Sequence, residues 1–209
     1  YCGVIGFKPT FGQISLEGIL KQSPPLDTLG FFARSVEDVR LLMSVFMEKE
    51  FHSNTLSKSS MRLAFVRTCC WDQGDKEMQL AFNRLLEKYS SLIQEIRLPD
   101  IFSKILRLQK SIQFRDIARN YGPIADKHKS IVSEKLREVV EQGKAIDDAE
   151  YEKACAEREP MYKALLSILN VYDAIITPAA PGVAPKGLSS TGSPVFNFLW
   201  TYLGCPAIT

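Results

Sequence analysis

Histidine is scarce in this chain, because only His52 and His128 occur among its 209 residues. The sequence also has no Cys-x-x-Cys or His-Glu-x-x-His spacing, so a zinc site is not expected. No glycine-rich phosphate loop follows any predicted strand, which leaves nucleotide binding without a motif. We therefore expect no metal and no cofactor.

Long apolar runs and an excess of charge are missing as well. No uninterrupted apolar segment approaches the ~20 residues that a membrane-spanning helix needs. With 26 basic and 24 acidic residues, the net charge of +2 gives no reason to expect binding to nucleic acid or to a membrane. The five cysteines are an odd number without the spacing of a secreted disulfide scaffold, which predicts free thiols in a cytoplasmic protein.

The composition is that of a globular domain. Hydrophobic residues make up 45% of the chain and charged residues 24%. A chain of 209 residues can bury one sizeable core. No linker or repeat divides it, so we predict one unit over residues 1–209.

The chain opens on an apolar segment that predicts a buried strand. Val4, Ile5 and Phe7 form a short apolar run that ends at Pro9. Chain termini usually lie frayed at the surface. We therefore expect this segment to continue a longer protein.

A helix and then a strand–helix–strand unit follow. Ser35 with Asp38 three residues later predicts a capping box at the start of a helix from about Val36 to Met47, and the polar residues 48–60 predict a surface connection.

The apolar run Leu63–Val66 predicts a strand, and the apolar stripe that starts at Asp75 predicts a helix. Gln94–Leu98 predicts a second strand, which should be parallel to the first and joined to it by a right-handed crossover. The predicted fold class is α/β, with a mixed, mostly parallel sheet flanked by helices.

The middle of the chain, residues 103–170, predicts a helical excursion between strands. Within it, Gly143 is expected to end one helix and Asp147 to cap the next. Pro160 removes an amide donor, which predicts a kink near Glu157.

The last predicted buried strand, Ala174–Thr177, leads into a loop over residues 178–194 that is rich in proline and glycine. Ligands bind at the carboxyl ends of strands in open α/β sheets, and loops this long are usually functional. We therefore predict that Thr177 contacts a substrate amide or carboxylate, with a satisfied turn amide as the alternative. Asn197 and Trp200 are predicted to line the same pocket, although core packing is the stronger interpretation of Trp200.

Two further candidates have simpler structural explanations. Asp27 could take part in acid–base chemistry, but acceptance of backbone hydrogen bonds in a turn is the stronger interpretation. Cys69 and Cys70 could act as nucleophiles only beside a positioned base, for which His52 and His128 are the candidates. Inert packing thiols are the stronger interpretation there.

Several segments resemble the amidase signature family of serine hydrolases, in the family's order and at its spacing. Near the start they are Gly3-Val-Ile-Gly-Phe-Lys-Pro-Thr10, Leu26-Asp-Thr-Leu-Gly30 and Ala33-Arg-Ser-Val-Glu-Asp38. Near the end they are Tyr172-Asp-Ala-Ile-Ile-Thr-Pro178, Thr191-Gly-Ser-Pro-Val-Phe-Asn197 and Gly204-Cys-Pro-Ala-Ile-Thr209. The middle of the chain matches weakly.

The resemblance implies acyl transfer. A serine attacks the carbonyl of a linear amide, a second serine and a neutral lysine relay its proton, and backbone amides hold the oxyanion. In the family these residues lie N-terminal to the segment that starts at Tyr1, so Lys8 does not correspond to the catalytic lysine. The resemblance therefore implies that residues 1–209 form a partial amidase signature domain, a fragment without a catalytic residue and inactive alone.

Two other functions stay open. The chain could be a non-catalytic binding or assembly module that keeps the family's fold. A tRNA-dependent amidotransferase A-type subunit ranks lower, because the Lys8 and Asp27 segments look more like general amidases and no basic patch is present. The expected partners are a small-molecule amide and either the missing N-terminal segment or a second copy of the chain.

Overall fold

The structure, a computed structural model, describes residues 2–51 and 61–209. In chain order its strands are β1 (Ile5–Lys8), β2 (Phe31–Ala33), β3 (Leu63–Val66), β4 (Ile93–Ile96), β5 (Ala174–Ile176) and β6 (Ala207–Ile208). Its α-helices are α1 (Val36–Met47), α2 (Lys76–Lys88), α3 (Ile105–Lys127), α4 (Glu134–Lys144), α5 (Asp148–Ala156), α6 (Arg158–Leu169) and α7 (Phe198–Tyr202). The α/β fold class is confirmed. His52 and most of the predicted surface connection lie outside the described residues.

A parallel sheet holds the middle and late strands in the order β4-β3-β5. Leu63 on β3 lies opposite Ile93 on β4 and Ala174 on β5, which confirms the parallel strand–helix–strand unit. Phe65 and Val66 on the central strand are fully buried. The prediction of a buried strand at β5 is wrong, because β5 is an edge strand whose residues are exposed or half-buried.

The second sheet is antiparallel, in the order β2-β1-β6. Ile5 on β1 pairs with Ala33, and Phe7 pairs with Ile208. The predicted opening strand is therefore present and central in its sheet. Its predicted burial is wrong, since β1 is only half-buried and Phe32 beside it is 85% exposed.

The main core lies where α3, α5, α6 and α7 pack against the parallel sheet. Ile112 and Met161 are fully buried there, next to Val66. Tyr202 is also fully buried, and its hydroxyl donates to the carbonyl of Ala154 at 2.6 Å. That bond satisfies the one polar atom that this aromatic side chain carries into the core.

The two predicted N-terminal helix caps are present. The hydroxyl of Ser35 accepts the amide of Asp38 at 3.1 Å, and α1 has the predicted bounds. The carboxylate of Asp147 caps α5 by accepting the amide of Glu150 at 2.7 Å. Each side chain supplies an acceptor to an amide that has no partner within its helix.

The helical excursion is confirmed, since α3 to α6 cover residues 105–169. The expected irregularity at Glu157 is a break between two helices, because α5 ends at Ala156 and α6 begins at Arg158. Pro160 falls in the first turn of α6, where its missing amide costs no helical hydrogen bond. None of the helices in the described ranges is long and apolar enough to cross a membrane.

Gly143 does not have the predicted role of a helix stop. It lies inside α4, which continues to Lys144 and ends at Ala145 in a right-handed conformation. A Cβ atom built on Gly143 would lie 1.9 Å from the carbonyl oxygen of Phe114 on α3. The glycine is therefore required because α3 and α4 approach closely at this point.

Candidate functional site

The candidate site lies at the carboxyl edge of the parallel sheet. The strands β3, β4 and β5 run in one direction, so their carboxyl ends meet at one edge. Residues 67–75 leave β3 there and begin α2, and residues 177–194 leave β5 as a loop without helix or strand. These two segments form the walls of the site.

Three close approaches hold the loop after β5. The amide of Asp75 donates to the carbonyl of Pro181 at 2.7 Å, and the side-chain amide of Asn197 donates to the carbonyl of Ala179 at 3.2 Å. A Cβ on Gly182 would lie 1.7 Å from a carboxylate oxygen of Asp75, so only glycine fits there. The loop is thus attached both to the start of α2 and to the turn before α7.

A cleft of about 400 Å³ separates the two walls. Residues 73–75 line one side, and residues 181–183 with Gly192 and Ser193 line the other. The Asp75 carboxylate already caps α2 by accepting the amide of Met78 at 2.7 Å. Apart from Asp75, the cleft is lined mainly by small or apolar side chains, as binding pockets usually are.

Thr177 lies directly after β5, at the predicted strand end. Its hydroxyl oxygen is buried and has no hydrogen-bond partner among the described residues. The alternative, in which this hydroxyl accepts a hydrogen bond from a turn amide, is therefore not observed among the described residues. A buried hydroxyl without a partner costs about 1–3 kcal/mol. Thr177 is not among the residues that line the cleft, and its contact with substrate stays a prediction.

Asn197 and Trp200 lie in the short helical segments that follow the loop. Asn197 is exposed and contacts the loop two residues after Thr177, through its bond to Ala179. Trp200 is half-buried and packs on the main core, while its indole nitrogen is buried without a partner among the described residues. Asn197 therefore lies against the loop after β5, and the core packing of Trp200 is confirmed. Contact of either residue with substrate stays a prediction.

Arg67 was not predicted from the sequence as a residue of the site, although it joins the elements at this edge of the sheet. It forms an ion pair with Glu95 on β4, donates to Asn83 on α2 at 2.9 Å, and lies 4.3 Å from the ring centroid of Trp71. The hydrogen bond from Arg67 lowers the pKa of Glu95. No local pattern could reveal these contacts, because they join three elements.

Asp27 has the structural role. Its carboxylate accepts the amides of Gln22 at 2.8 Å and Ser23 at 3.0 Å, as a turn-forming aspartate does. The hydroxyl of Ser23 then donates to the buried carboxylate of Asp116 on α3 at 2.7 Å. Burial raises the pKa of Asp116, and burial together with Asp116 raises the pKa of Tyr151 to about 12. This network fastens the segment before β2 to the helices.

Lys8 is held by backbone carbonyls. Its ammonium group donates to the carbonyl of Cys205 and to that of Pro9 at 3.3 Å. Burial lowers the pKa of Lys8, with a smaller contribution from the neighbouring guanidinium of Arg158. Arg158 itself lies 5.1 Å from the ring centroid of Phe11. These contacts give Lys8 a positioning role between β1 and the end of the chain.

The weaker alternative, a cysteine beside a histidine base, finds no support in the described residues, which leave out His52. Among the described residues, no hydrogen bond joins His128, at the end of α3, to Cys69 or Cys70. Instead the two cysteine sulfurs lie 3.7 Å from each other. Within residues 2–51 and 61–209, no three side chains of the metal-binding types lie together.

Comparisons with known proteins place this geometry in context. A family model described as Amidase matches residues 1–208. The A-type subunit of the glutamyl-tRNA(Gln) amidotransferase of Fusobacterium nucleatum is 24% identical, and the match covers 100% of this chain and 52% of that protein. The indoleacetamide hydrolase of Allorhizobium ampelinum is 26% identical over 91% of this chain and 45% of its own length. A crystal structure of an amidase, 26% identical, superposes with a TM-score of 0.83 over 99% of this chain and 50% of that one. The chain spans about half the length of these relatives.

Proposed function

The chain belongs to the amidase family, and we propose that it supplies the substrate-facing wall of an enzyme that hydrolyses a linear carboxylic amide through an acyl-serine intermediate. The match to the family over residues 1–208 carries this proposal. In the proposal the nucleophilic serine, its bridging serine and the lysine lie on a segment outside these 209 residues. The chain alone is then inactive.

The proposed role of this chain is to position the amide. Thr177 offers a hydroxyl without a partner at the carboxyl edge of the sheet, where it can bond the substrate's carbonyl or amino group. Asn197 keeps the loop in place through Ala179, and Trp200 supplies an apolar wall. Orienting the carbonyl in this way lowers the entropic part of the barrier to serine attack.

The chemical sequence follows from the family. The serine oxygen adds to the amide carbonyl, and its proton passes through the second serine and lysine to the departing amine. Water then attacks the acyl-serine ester and releases the acid. Residues 1–209 contribute no proton carrier to these steps in the proposal, because Lys8 is bound to backbone carbonyls and Asp27 to turn amides.

A transamidating enzyme is the second candidate. Its support is the relative from Fusobacterium nucleatum, whose match covers the whole of this chain. The indoleacetamide hydrolase is similarly close at 26% identity, and a net charge of +2 offers little attraction for tRNA. We therefore favour a hydrolase, with its amide substrate and the catalytic segment as the proposed partners. A non-catalytic module ranks below both enzymes, and a second copy of the chain ranks below the catalytic segment as partner.

Substitution of Thr177 by valine tests the proposed role of the wall. The experiment uses a protein in which these residues are joined to the catalytic segment, and it measures steady-state hydrolysis of a panel of aryl and alkyl amides. Loss of one neutral hydrogen bond, about 0.5–1.5 kcal/mol, predicts a fall in kcat/KM of about two- to tenfold. The control is Thr10→Val, at an exposed position after β1. Unchanged kcat/KM in the Thr177 variant would remove this residue from the site.

A further inference from the structure

Two adjacent cysteines lie at the same sheet edge as the cleft and have no part in the proposed amide chemistry. Cys69 and Cys70 follow β3 and precede the short helical turn at Trp71–Gln73. Their sulfurs are 3.7 Å apart. Cys69 is exposed, whereas Cys70 is 2% exposed. They are the one cysteine pair among the described residues whose sulfurs contact each other.

We propose that Cys69 and Cys70 form a dithiol site that binds a monosubstituted trivalent arsenical, with both sulfurs bonded to one arsenic atom. The site offers two thiols, and this class of ligand takes two. No third side chain is needed, which agrees with the lack of a larger cluster of metal-binding side chains in the described residues.

The separation of the two sulfurs suits a bridge through one atom. Two sulfurs bonded to one atom at about 2.3 Å, the length of a zinc–sulfur bond, lie about 3.5–3.8 Å apart for bond angles of about 100–109°. The observed 3.7 Å falls in that range. The bridge can therefore form with little movement of the backbone.

A direct disulfide between the two residues fits less well. Adjacent Cα atoms are about 3.8 Å apart across a trans peptide. Disulfides usually join Cα atoms about 4.4–6.8 Å apart, and departures from this geometry store strain. The pair is thus better arranged for a one-atom bridge than for oxidation to a disulfide.

Reactivity begins at the exposed sulfur. The hydrogen bond from Cys70 lowers the pKa of Cys69 to about 7, whereas that bond and burial raise the pKa of Cys70. The Cys69 thiolate therefore attacks first, because the thiolate is the nucleophile. In water the arsenical is hydrated and carries two As–OH groups. Two S–As bonds form and two As–OH bonds break, and each hydroxide leaves as water by taking up the proton that the thiol has lost. No oxidation or reduction takes place.

Binding of the arsenical is expected to disturb the candidate site through the side chains that pack around Cys70. Cys70 lies in a small apolar cluster with Val195 and Phe196, which directly precede Asn197. An adduct on Cys70 must pull its sulfur away from Phe196 or push that ring aside. The turn that carries Asn197, and with it the bond to Ala179, is then loosened.

Phenylarsine oxide is the probe for this proposal. Mass spectrometry of the protein after reaction and gel filtration should show one arsenical per chain, retained in excess glutathione and removed by 2,3-dimercaptopropanol. Single variants Cys69→Ser and Cys70→Ser should each lower glutathione-resistant binding at least tenfold. The matched control is Cys2→Ser, at an exposed and separate cysteine, which should bind as the parent does.

A second variant guards against misfolding at the buried position. Cys70→Ala keeps a small apolar side chain in the cluster with Phe196, and its circular dichroism spectrum should match that of the parent. Loss of binding in that folded variant supports the dithiol site. Resistant binding that persists in Cys69→Ser, or that is absent from the parent protein, would overturn it.

Discussion

Two glycines at the crossing of α3 and α4 allow the helical packing to be tested with matched substitutions. A Cβ on Gly143 would lie 1.9 Å from the carbonyl oxygen of Phe114 and 2.8 Å from the Cβ of Ala118. A Cβ on Gly122 would meet Val140 at 3.6 Å, which is ordinary van der Waals contact. Both glycines lie inside helices, but Gly122 directly precedes Pro123, whose ring disfavours a helical conformation for a preceding residue that carries a Cβ.

The local effect of Gly→Ala is a gain of about 0.5–1 kcal/mol, because alanine loses less backbone entropy than glycine when a helix forms. At Gly122 the clash of the new Cβ with the ring of Pro123 offsets this gain. At Gly143 the new methyl group overlaps a backbone carbonyl, which no rotamer change can relieve, so α3 and α4 must move apart. Overpacking of this kind costs about 1–3 kcal/mol or more. We expect Gly143→Ala to lower the free energy of unfolding by about 1–2 kcal/mol and Gly122→Ala to change it by less than about 0.5 kcal/mol.

Urea denaturation followed by circular dichroism at 222 nm measures both variants against the parent. A difference of about 0.5–2.5 kcal/mol between the two alanine variants corresponds to roughly 1–10 °C in Tm for a chain of this size. Equal stability of the two variants, or a more stable Gly143→Ala protein, would refute the close approach of α3 to α4.

Three further substitutions test other contacts. Asp116→Asn removes a carboxylate whose pKa is raised in the folded chain, so folding becomes less favourable as pH rises above the ordinary aspartate pKa of 3.8. The variant should therefore be more stable than the parent at pH 7. Urea titrations repeated toward pH 4 should show a smaller difference in the free energy of unfolding. Tyr202→Phe removes the buried hydrogen bond to Ala154 and should lower the free energy of unfolding by about 1–2 kcal/mol, measured by thermal unfolding. Tyr172→Phe removes an exposed hydrogen bond to Gln94 and should lower it by less. Asp75→Ala removes the cap of α2 and should lower stability by about 1 kcal/mol, whereas Asp75→Asn, which keeps an acceptor, should lose less in the same denaturation assay.

The sequence predicted the features that depend on neighbouring residues. Ser35 and Asp147 cap helices because the acceptor and its amide partner are three residues apart. The bounds of β3 followed from a short apolar run between polar segments. The placement of Thr177 at a strand end followed from the same kind of pattern, because β5 is short and Pro178 stops it.

Features that depend on distant residues were not predicted. Gly143 carries the local mark of a helix end, but its reason is a carbonyl on another helix. Asp116 lies within α3 without any pattern that reveals its bond to Ser23, 93 residues earlier. The attachment of the cleft loop to Asp75 likewise joins segments about a hundred residues apart, so only the folded chain shows it.

Labelling with a serine-directed fluorophosphonate shows whether the nucleophilic serine lies on this chain. We expect the 209-residue chain to show neither a stoichiometric adduct nor amide hydrolysis. Joined to the catalytic segment of the family, the protein should gain one adduct, on a serine outside these residues. A stoichiometric adduct on a serine of this chain, with amide hydrolysis that is lost when that serine is changed to alanine, would contradict the account.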